Sequence, residues 1–488
     1  MKKDINRYIQ YIFILLASII SSCESGFEEE NIDPNNPTSV PTAYLMSSAQ
    51  RSLVTNFFGR NTSWGIDQLG MRYMQMWANT LYTSEDRYEY IELNFQSFYN
   101  GGLADLEEII KLNSDEETKD HALASGANAN QIAVAKILKA WTFQKMTDVW
   151  GDIPYSEALK GIEVPSPAYD EQSAIYTDLI AELDEATSMI DLDGETISGD
   201  LIYGGNMDYW KMFAQSLKLR LGMRMSKVDP TTAQATVSAA INAGVFTSIE
   251  QDAKFVYLSA SPNNGPWNES FYNGTPTLAV ATTIIDKMLE LEDPRIEVFA
   301  QKAVEGNAYI GMPYGVTAAV AGSITNNQVS LPGLKIVEAT NPAILITYAE
   351  VLFIQAEAAA NGWISGDPET LYKEAITASM ESWGIGADAI SAYLASEMVA
   401  YDAGNYQKSI GEQQWIAFYM QGLEAWSSWR RLGYPELVPA PDAVENRDIP
   451  RRRGYPTAET SLNQANYLVA VERQGPDLLE TRVWWDVE

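Results

Sequence analysis

Few residues in this chain are of types that make or break bonds. It holds one histidine, His121, and one cysteine, Cys23. That count limits or excludes multi-histidine metal centres, disulfides, thiol redox pairs and Ser-His-Asp catalysis by more than one histidine. His121 stands in an acidic, polar region and reads as a surface residue. The most suggestive carboxylates are Glu350 and Glu357. They lie seven positions apart on a helical pattern, so they share a face about 10 Å apart along the axis. Glycosidase carboxylates lie roughly 5 to 9.5 Å apart and come from different elements around a concave site. Here the flanking Ala356, Ala358, Ala359 and Ala360 suggest close helix packing. The expectation is therefore structural: a buried ion pair with an arginine such as Arg430. The run DLDGE at 191–195 resembles the start of a calcium loop, but its glycine arrives too early for an EF-hand. It reads as a solvated turn. There is no Walker loop, no GxGxxG after a strand and no GxSxG. No catalytic set, metal site or cofactor site emerges, and the chain does not read as an enzyme.

Aromatic residues form the other candidate group. The chain has 13 Trp and 26 Tyr, more than a helical core usually needs. Apolar faces of sugar rings stack on flat side chains, while neighbouring Asn, Asp and Arg bond the equatorial hydroxyls. Trp267-Asn268 and Phe271-Tyr272-Asn273 have that composition, within SPNNGPWNESFYNGTP at 261–276. So do Trp77, Tyr82, Arg87 and Tyr88 in the aromatic-dense stretch 71–90. The 261–276 stretch has neither a helical nor an alternating pattern and is too polar for core. Loops of this length are usually functional or disordered, and Trp267, Phe271 and Tyr272 argue against disorder. The same surface could instead dock a protein, because Tyr and Trp also concentrate in interfaces.

The elements that must position these side chains are helices. The stretch EQQWIAFYMQGLEAWSSWRRLGYPEL, at 412–437, is expected to be one long helix. Trp415, Tyr419, Gly422, Trp426 and Trp429 recur at steps of four and three, so they share one face. Gly433 is the expected left-handed cap, Arg430 and Arg431 suit the last turn, and Pro435 stops the helix. Further helices are expected at 44–58, 66–82, 103–113, 131–149, 169–190, 208–227 and 231–243. Others are expected at 276–291, 342–360, 367–383 and 390–399. Thr42 and Ser63 are expected caps. Short loops between helices imply antiparallel pairs. Residues 250–341 differ, being rich in Gly, Pro, Asn, Ser and Thr. Strand content reads as low, with short ribbons near 253–258 and 483–486. The fold class is mainly all-α, with long irregular loops.

The chain of 488 residues carries 33 basic against 65 acidic residues, a formal charge of −32. That argues against nucleic acid, whose binding rests on Lys and Arg neutralising phosphates. It also argues against lying flat on an anionic membrane. At the N-terminus, Lys2, Lys3 and Arg7 precede an apolar run at 9–20, about the length of a signal-peptide core. Ser21, Ser22 and Cys23 follow, where a lipoprotein signal places its acylated cysteine. The expectation is a signal peptide at 1–22, a lipid anchor on Cys23 and a flexible Pro/Asn-rich tether at 23–43. A single helical domain is then expected at 44–488, with a loop-rich insertion at about 250–341.

Five stretches in order carry a family resemblance: MTDVWGDIPYSEAL (146–159), ITYAEVLFIQAEAAANG (346–362), the 412–437 segment, IPRRRGYPTAETSLNQANY (449–467) and RVWWD (482–486). Together they resemble the SusD/RagB family of outer-membrane nutrient-binding lipoproteins. The resemblance implies tetratricopeptide-like helix pairs as scaffold. It implies a cell-surface lipoprotein that sits over a SusC-like TonB-dependent transporter and captures oligosaccharide for import without hydrolysing it. Peptide capture is an alternative within the same family. A surface glycoside hydrolase and a purely structural partner of the barrel are further alternatives from other classes.

Overall fold

The computed structural model describes residues 40–60, 63–90, 92–272, 274 and 276–488. Cys23 and the expected signal and most of the tether lie outside them. The longer elements are, in order, α1 (Thr42–Phe58), α2 (Ile66–Tyr73), β1 (Trp77–Asn79), α3 (Ala104–Ser114), α4 (Asn128–Trp150), α5 (Gln172–Met189), α6 (Met207–Arg224) and α7 (Pro230–Ala243). They continue with β2 (Ala253–Phe255), α8 (Pro266–Tyr272), β3 (Leu278–Val280), α9 (Thr282–Glu290), β4 (Ala343–Ile346) and α10 (Tyr348–Ala360). The C-terminal part adds α11 (Pro368–Ser382), α12 (Ala387–Leu394), α13 (Tyr406–Ala417), α14 (Gly422–Leu432) and α15 (Gln464–Gln474).

The fold is mainly all-α. Consecutive helices pack as pairs, α4 on α5, α6 on α7 and α10 on α11, and neighbouring pairs pack on one another. Capping follows simple chemistry. Asp229 precedes Pro230 and accepts from the Thr232 amide, and Asp367 precedes Pro368 and accepts from the Thr370 amide. A side-chain oxygen thus satisfies an orphan donor where proline removes another. Among the described residues the strands form only two-stranded antiparallel ribbons, including β1 with β3 and β2 with β4.

Several expectations change. The 412–437 segment is two helices rather than one. Met420 takes a left-handed conformation at φ 73°, and α14 restarts at Gly422. The reason lies on α2. The Asp67 carboxylate accepts from the Leu423 amide at 3.1 Å, capping α14 from a distant part of the chain. Gly70 and Gly422 meet where these helices cross. A β-carbon on either glycine would overlap the backbone of the other helix. The 66–82 helix ends at Tyr73, because Gln75 turns left-handed and the chain enters β1. Residues 343–346 form β4, pairing with β2, before the helix begins. Residues 278–280 form β3 ahead of α9. Residues 483–486 form a turn, not a ribbon. Pro41 and Gly65, rather than Thr42 and Ser63, precede α1 and α2. Thr42 is buried, and its hydroxyl donates to Gln131.

The interior holds charges as well as hydrophobic side chains. Glu350 pairs with Arg220 on α6, at 2.5 and 2.8 Å. Arg220 also faces Glu424 of α14 at 3.2 Å. Arg224, one turn on, donates to Glu424 at 2.6 Å and faces Asp148 of α4 at 3.3 Å. Asp148 in turn accepts from Tyr176 at 2.5 Å and from the Trp485 indole at 2.7 Å. Glu357 is bound by Arg431 through both guanidinium amines. Arg430 is therefore the partner of neither glutamate. Its guanidinium lies over Trp426 and Trp485, 3.9 and 4.5 Å from the ring centroids. It donates to the carbonyls of Asp148 and Arg451, both at 2.8 Å. Arg431 follows Arg430 by one residue, so the two guanidinium groups leave the helix in different directions. Only Arg431 reaches α10.

Two outcomes test this account. Gly422→Ala should destabilise the fold by about 3 kcal/mol, because neither backbone can move away from the new methyl. A urea-denaturation midpoint equal to wild type would refute the close crossing. For Glu424, burial alone would raise the carboxyl pKa, but Arg220 and Arg224 outweigh it and hold the group down at about 2. The unfolded value is near 4.3. A depressed folded value means stability that is complete above about pH 4.3 and lost as pH falls through about 2. Glu424→Gln should therefore cost about 3 kcal/mol at neutral pH. Its deficit against wild type should shrink as pH falls through that window, and a pH-independent deficit would contradict the ionic account.

Candidate functional site

The aromatic candidates converge on one ribbon and its extensions. Trp77 faces Val280 and Asn79 faces Leu278 in the β1–β3 register. The ladder extends by one bond, Thr80 amide to Thr277 carbonyl at 2.8 Å. Tyr82 lies two residues beyond Thr80, and α8 ends at Tyr272, five residues before Thr277. The two stretches singled out for aromatic content, 71–90 and 261–276, are thus brought together although 170 residues lie between them.

Within this cluster the aromatic rings divide by depth. Trp77 is 1% exposed, so it belongs to the core and not to a contact surface. Its indole donates to the Tyr419 hydroxyl at 2.6 Å. Tyr419 stacks on Phe299 with centroids 4.1 Å apart and planes 8° apart. Trp267 is half-buried and meets Trp77 edge to face at 4.6 Å. Phe271 is half-buried and packs edge to face against Tyr272 at 5.1 Å. Tyr272 and Tyr82 stand out into solvent at 60% and 66% exposure. Tyr88 is fully buried, and its hydroxyl accepts from the Ala440 amide. Burial raises its pKa well above that of a free phenol. Tyr88 therefore anchors a loop.

The segment expected to be an unpatterned loop contains the short helix α8, with Pro266 as its first residue. Its seat is polar. The Gly265 amide donates to Ala339 at 2.7 Å, and the Asn268 amide donates to Val337 at 2.8 Å. Asn268 thus points its nitrogen into the protein and acts as a positioning residue. Asn273 lies outside the described residues.

The Tyr82 loop is held as firmly. Asn79 accepts from the amides of Leu81 and Tyr82 at 2.9 and 2.6 Å. Asp86 accepts from the Asn79 amide at 2.6 Å and from Arg72 at 2.5 Å. Arg87 donates to the Asp442 carbonyl at 2.7 Å, so it too is spent on the scaffold. The Asp442 carboxylate accepts from the Thr317 amide at 3.0 Å. Asn79 and Asp442 were not among the residues singled out from sequence. The signal for Asn79 was present in its type, since Asn favours side-chain-to-backbone turns. Nothing local marks Asp442, whose partners lie far away in the chain.

Glu350 and Glu357 are 2% and 4% exposed and each is bound to an arginine, so neither is presented to a ligand. The 191–195 turn is tied to the start of α4 by reciprocal bonds between Asn130 and the Asp191 backbone, both 2.8 Å. Among the described residues, no group of three or more His, Cys, Asp or Glu is placed to hold a metal ion. Among them, no helix is long and apolar enough to cross a membrane.

The whole chain has close structural likenesses. It overlays on a chitin-binding protein with a TM-score of 0.80 at 27% identity, covering 92% of this chain and 100% of that one. A chitin-binding SusD homolog from Flavobacterium johnsoniae gives 0.76 at 24% identity, with 91% and 99% covered. A SusD homolog from Bacteroides fragilis gives 0.77 at 22% identity, with 92% and 100% covered. No functionally curated protein matches the sequence. The family model described as "Starch-binding associating with outer membrane" matches residues 34–456. With that match over most of its length and the paired-helix architecture beneath the aromatic ribbon, the chain belongs to the SusD-like family.

Proposed function

We propose that the protein is a glycan-binding lipoprotein of the outer membrane. It faces the cell exterior and passes captured oligosaccharide to a SusC-like TonB-dependent transporter. The observation that carries this reading is the aromatic surface at the ends of the β1–β3 ribbon. Tyr82 and Tyr272 project from it, and Trp267 and Phe271 stand half-buried beside them. Flat rings held outside a core suit the apolar faces of pyranose rings, and their fixed backbones lower the entropy lost on binding. The family description and the chitin-binding relatives support a carbohydrate ligand. Capture without hydrolysis is consistent with the enclosure of Glu350 and Glu357. Acylation of Cys23 would hold the body at the membrane, since each buried methylene contributes about 0.8 kcal/mol. The transporter completes the role, because a captured oligosaccharide needs a passage through the membrane.

Calorimetric titration of the chain starting after Cys23, against plant and host oligosaccharides and a peptide mixture, tests the ligand class. Tyr82→Ala and Tyr272→Ala should each weaken glycan binding at least about fivefold, on the order of 1 kcal/mol. Both are exposed, so the melting temperature should not move. Saturable binding to peptides alone would replace glycan capture by peptide capture. Cys23→Ser should move the protein from the membrane fraction to the soluble one, and retention after a salt wash would exclude the lipid anchor.

A further inference from the structure

A pocket of about 470 Å³ opens where four helix ends meet, on residues that the aromatic ribbon does not use. Lys227 follows α6, Asn361 and Trp363 follow α10, Tyr406 and Gln407 open α13, and Tyr434 follows α14. The volume lies within the range of small-molecule sites, roughly 300 to 1,000 Å³. Trp363, Tyr406 and Tyr434 are half-buried, so each keeps part of its ring accessible.

The polar groups of the pocket are unevenly spent. The buried Glu357 is bound by both guanidinium amines of Arg431. Asp486, the other carboxylate whose field reaches Lys227, is engaged by Arg451 and Arg482. Lys227 is the cation left over. It makes no ion pair or hydrogen bond among the described residues. Burial, and after it the neighbouring Arg431, hold its pKa below that of a free amine. The Gln407 amide and the Trp363 indole N–H also bond nothing among the described residues, and none of these three groups is closed off from water. The Asn361 oxygen accepts from the Tyr406 hydroxyl at 2.6 Å, which leaves the amide nitrogen unused. Among the unspent groups, donors therefore outnumber acceptors, and no carboxylate here is free to compete for a cation.

We propose that this pocket binds a hexuronic acid unit of an acidic glycan. Lys227 would meet the carboxylate, the unspent amides of Asn361 and Gln407 would bond ring hydroxyls, and the aromatic faces would take the apolar side of the pyranose. Lysine carries a point charge on a flexible stem, so it does not demand one carboxylate geometry. A neutral sugar would leave Lys227 unpaired, and a cationic one would be repelled by it. A bare inorganic anion would pair Lys227 but leave the three rings unused. The net charge of −32 does not forbid an acidic ligand, because salt screens exposed charges beyond about 8 Å and the local cation decides. The assignment rests on the glycan-capture reading and names a substrate class for it.

Saturation-transfer NMR and titration of the chain starting after Cys23, with glucuronate, glucose, acetate and N-acetyltyrosine, decide the matter. Glucuronate should bind at least about tenfold more tightly than glucose or acetate, and its affinity should fall as sodium chloride is raised. Lys227→Gln should weaken glucuronate about tenfold and remove its advantage over glucose. The melting temperature should not move, since Lys227 is exposed and pairs with nothing. Gln407→Ala should weaken both sugars, and Tyr272→Ala should leave glucuronate binding as it is. Equal binding of glucuronate and glucose, or glucuronate binding unmoved by Lys227→Gln, would overturn the site. Acetate binding as tightly as glucuronate would reduce it to an anion site and overturn the sugar. Tighter binding of N-acetyltyrosine would give the pocket to a peptide carboxylate instead. If glucuronate fails while other oligosaccharides bind, the site falls and glycan capture stands. If no glycan binds at all, both fall.

Discussion

The arrangement depends first on a set of buried charges that must be met together. Arg220 and Arg224 of α6 lie among Glu350, Glu424 and Asp148, which come from α10, α14 and α4. Each charge was taken from water at a cost of several kcal/mol, and only the complete set offsets it. Four helices from distant parts of the chain are therefore held in one relative placement. An alternative packing that moved any of them by a turn would leave an ion unpaired in the interior. Hydrophobic contact alone tolerates such slips far better. The network thus acts on specificity of the fold more than on net stability.

That placement has a consequence at the N-terminus of α14. Glu424 is drawn toward α6, which brings Gly422 against Gly70 of α2. α2 in turn supplies Asp67, which caps Leu423 and pairs with Lys145 of α4 at 3.2 Å. The break at Met420 turns Tyr419 toward β1, where it accepts from Trp77. From there the contacts run outward ring by ring, from Phe299 through Tyr419 and Trp77 to Trp267. The C-terminal tail closes the other side, since Trp485 bonds Asp148 and lies under Arg430. The exposed tyrosines therefore stand on a scaffold that is rigid by construction.

Helices were legible wherever local chemistry decides them. Asp229-Pro230 and Asp367-Pro368 announce their caps. The break in 412–437 was not legible. Steps of four and three between Trp415, Tyr419, Gly422, Trp426 and Trp429 are those of an unbroken helix, and the cap that interrupts it comes from Asp67. β4 was hidden for a similar reason, because AILI at 343–346 reads equally as a helix start until β2 is beside it. Of the candidate site, the two stretches that meet were legible from composition. The depth of each ring was not. Trp77, Tyr82 and Tyr88 lie in one aromatic-dense stretch, and only the ribbon and the Ala440 contact put Trp77 and Tyr88 inside. Glu350 and Glu357 looked alike, yet they are bound by different arginines, and Arg430 by neither.

The division of labour at the surface follows from what each kind of contact can discriminate. Ring stacking reads flatness and apolar area, which most pyranoses share, so under the proposed function Tyr82 and Tyr272 would hold a glycan with little regard to its identity. Discrimination needs a buried polar group that a wrong ligand leaves unpaired, because that penalty is larger than the gain from any stacked ring. Around the ribbon most such groups are already used: Asn79, Asp86, Arg87 and Asn268 all bond the protein's own backbone.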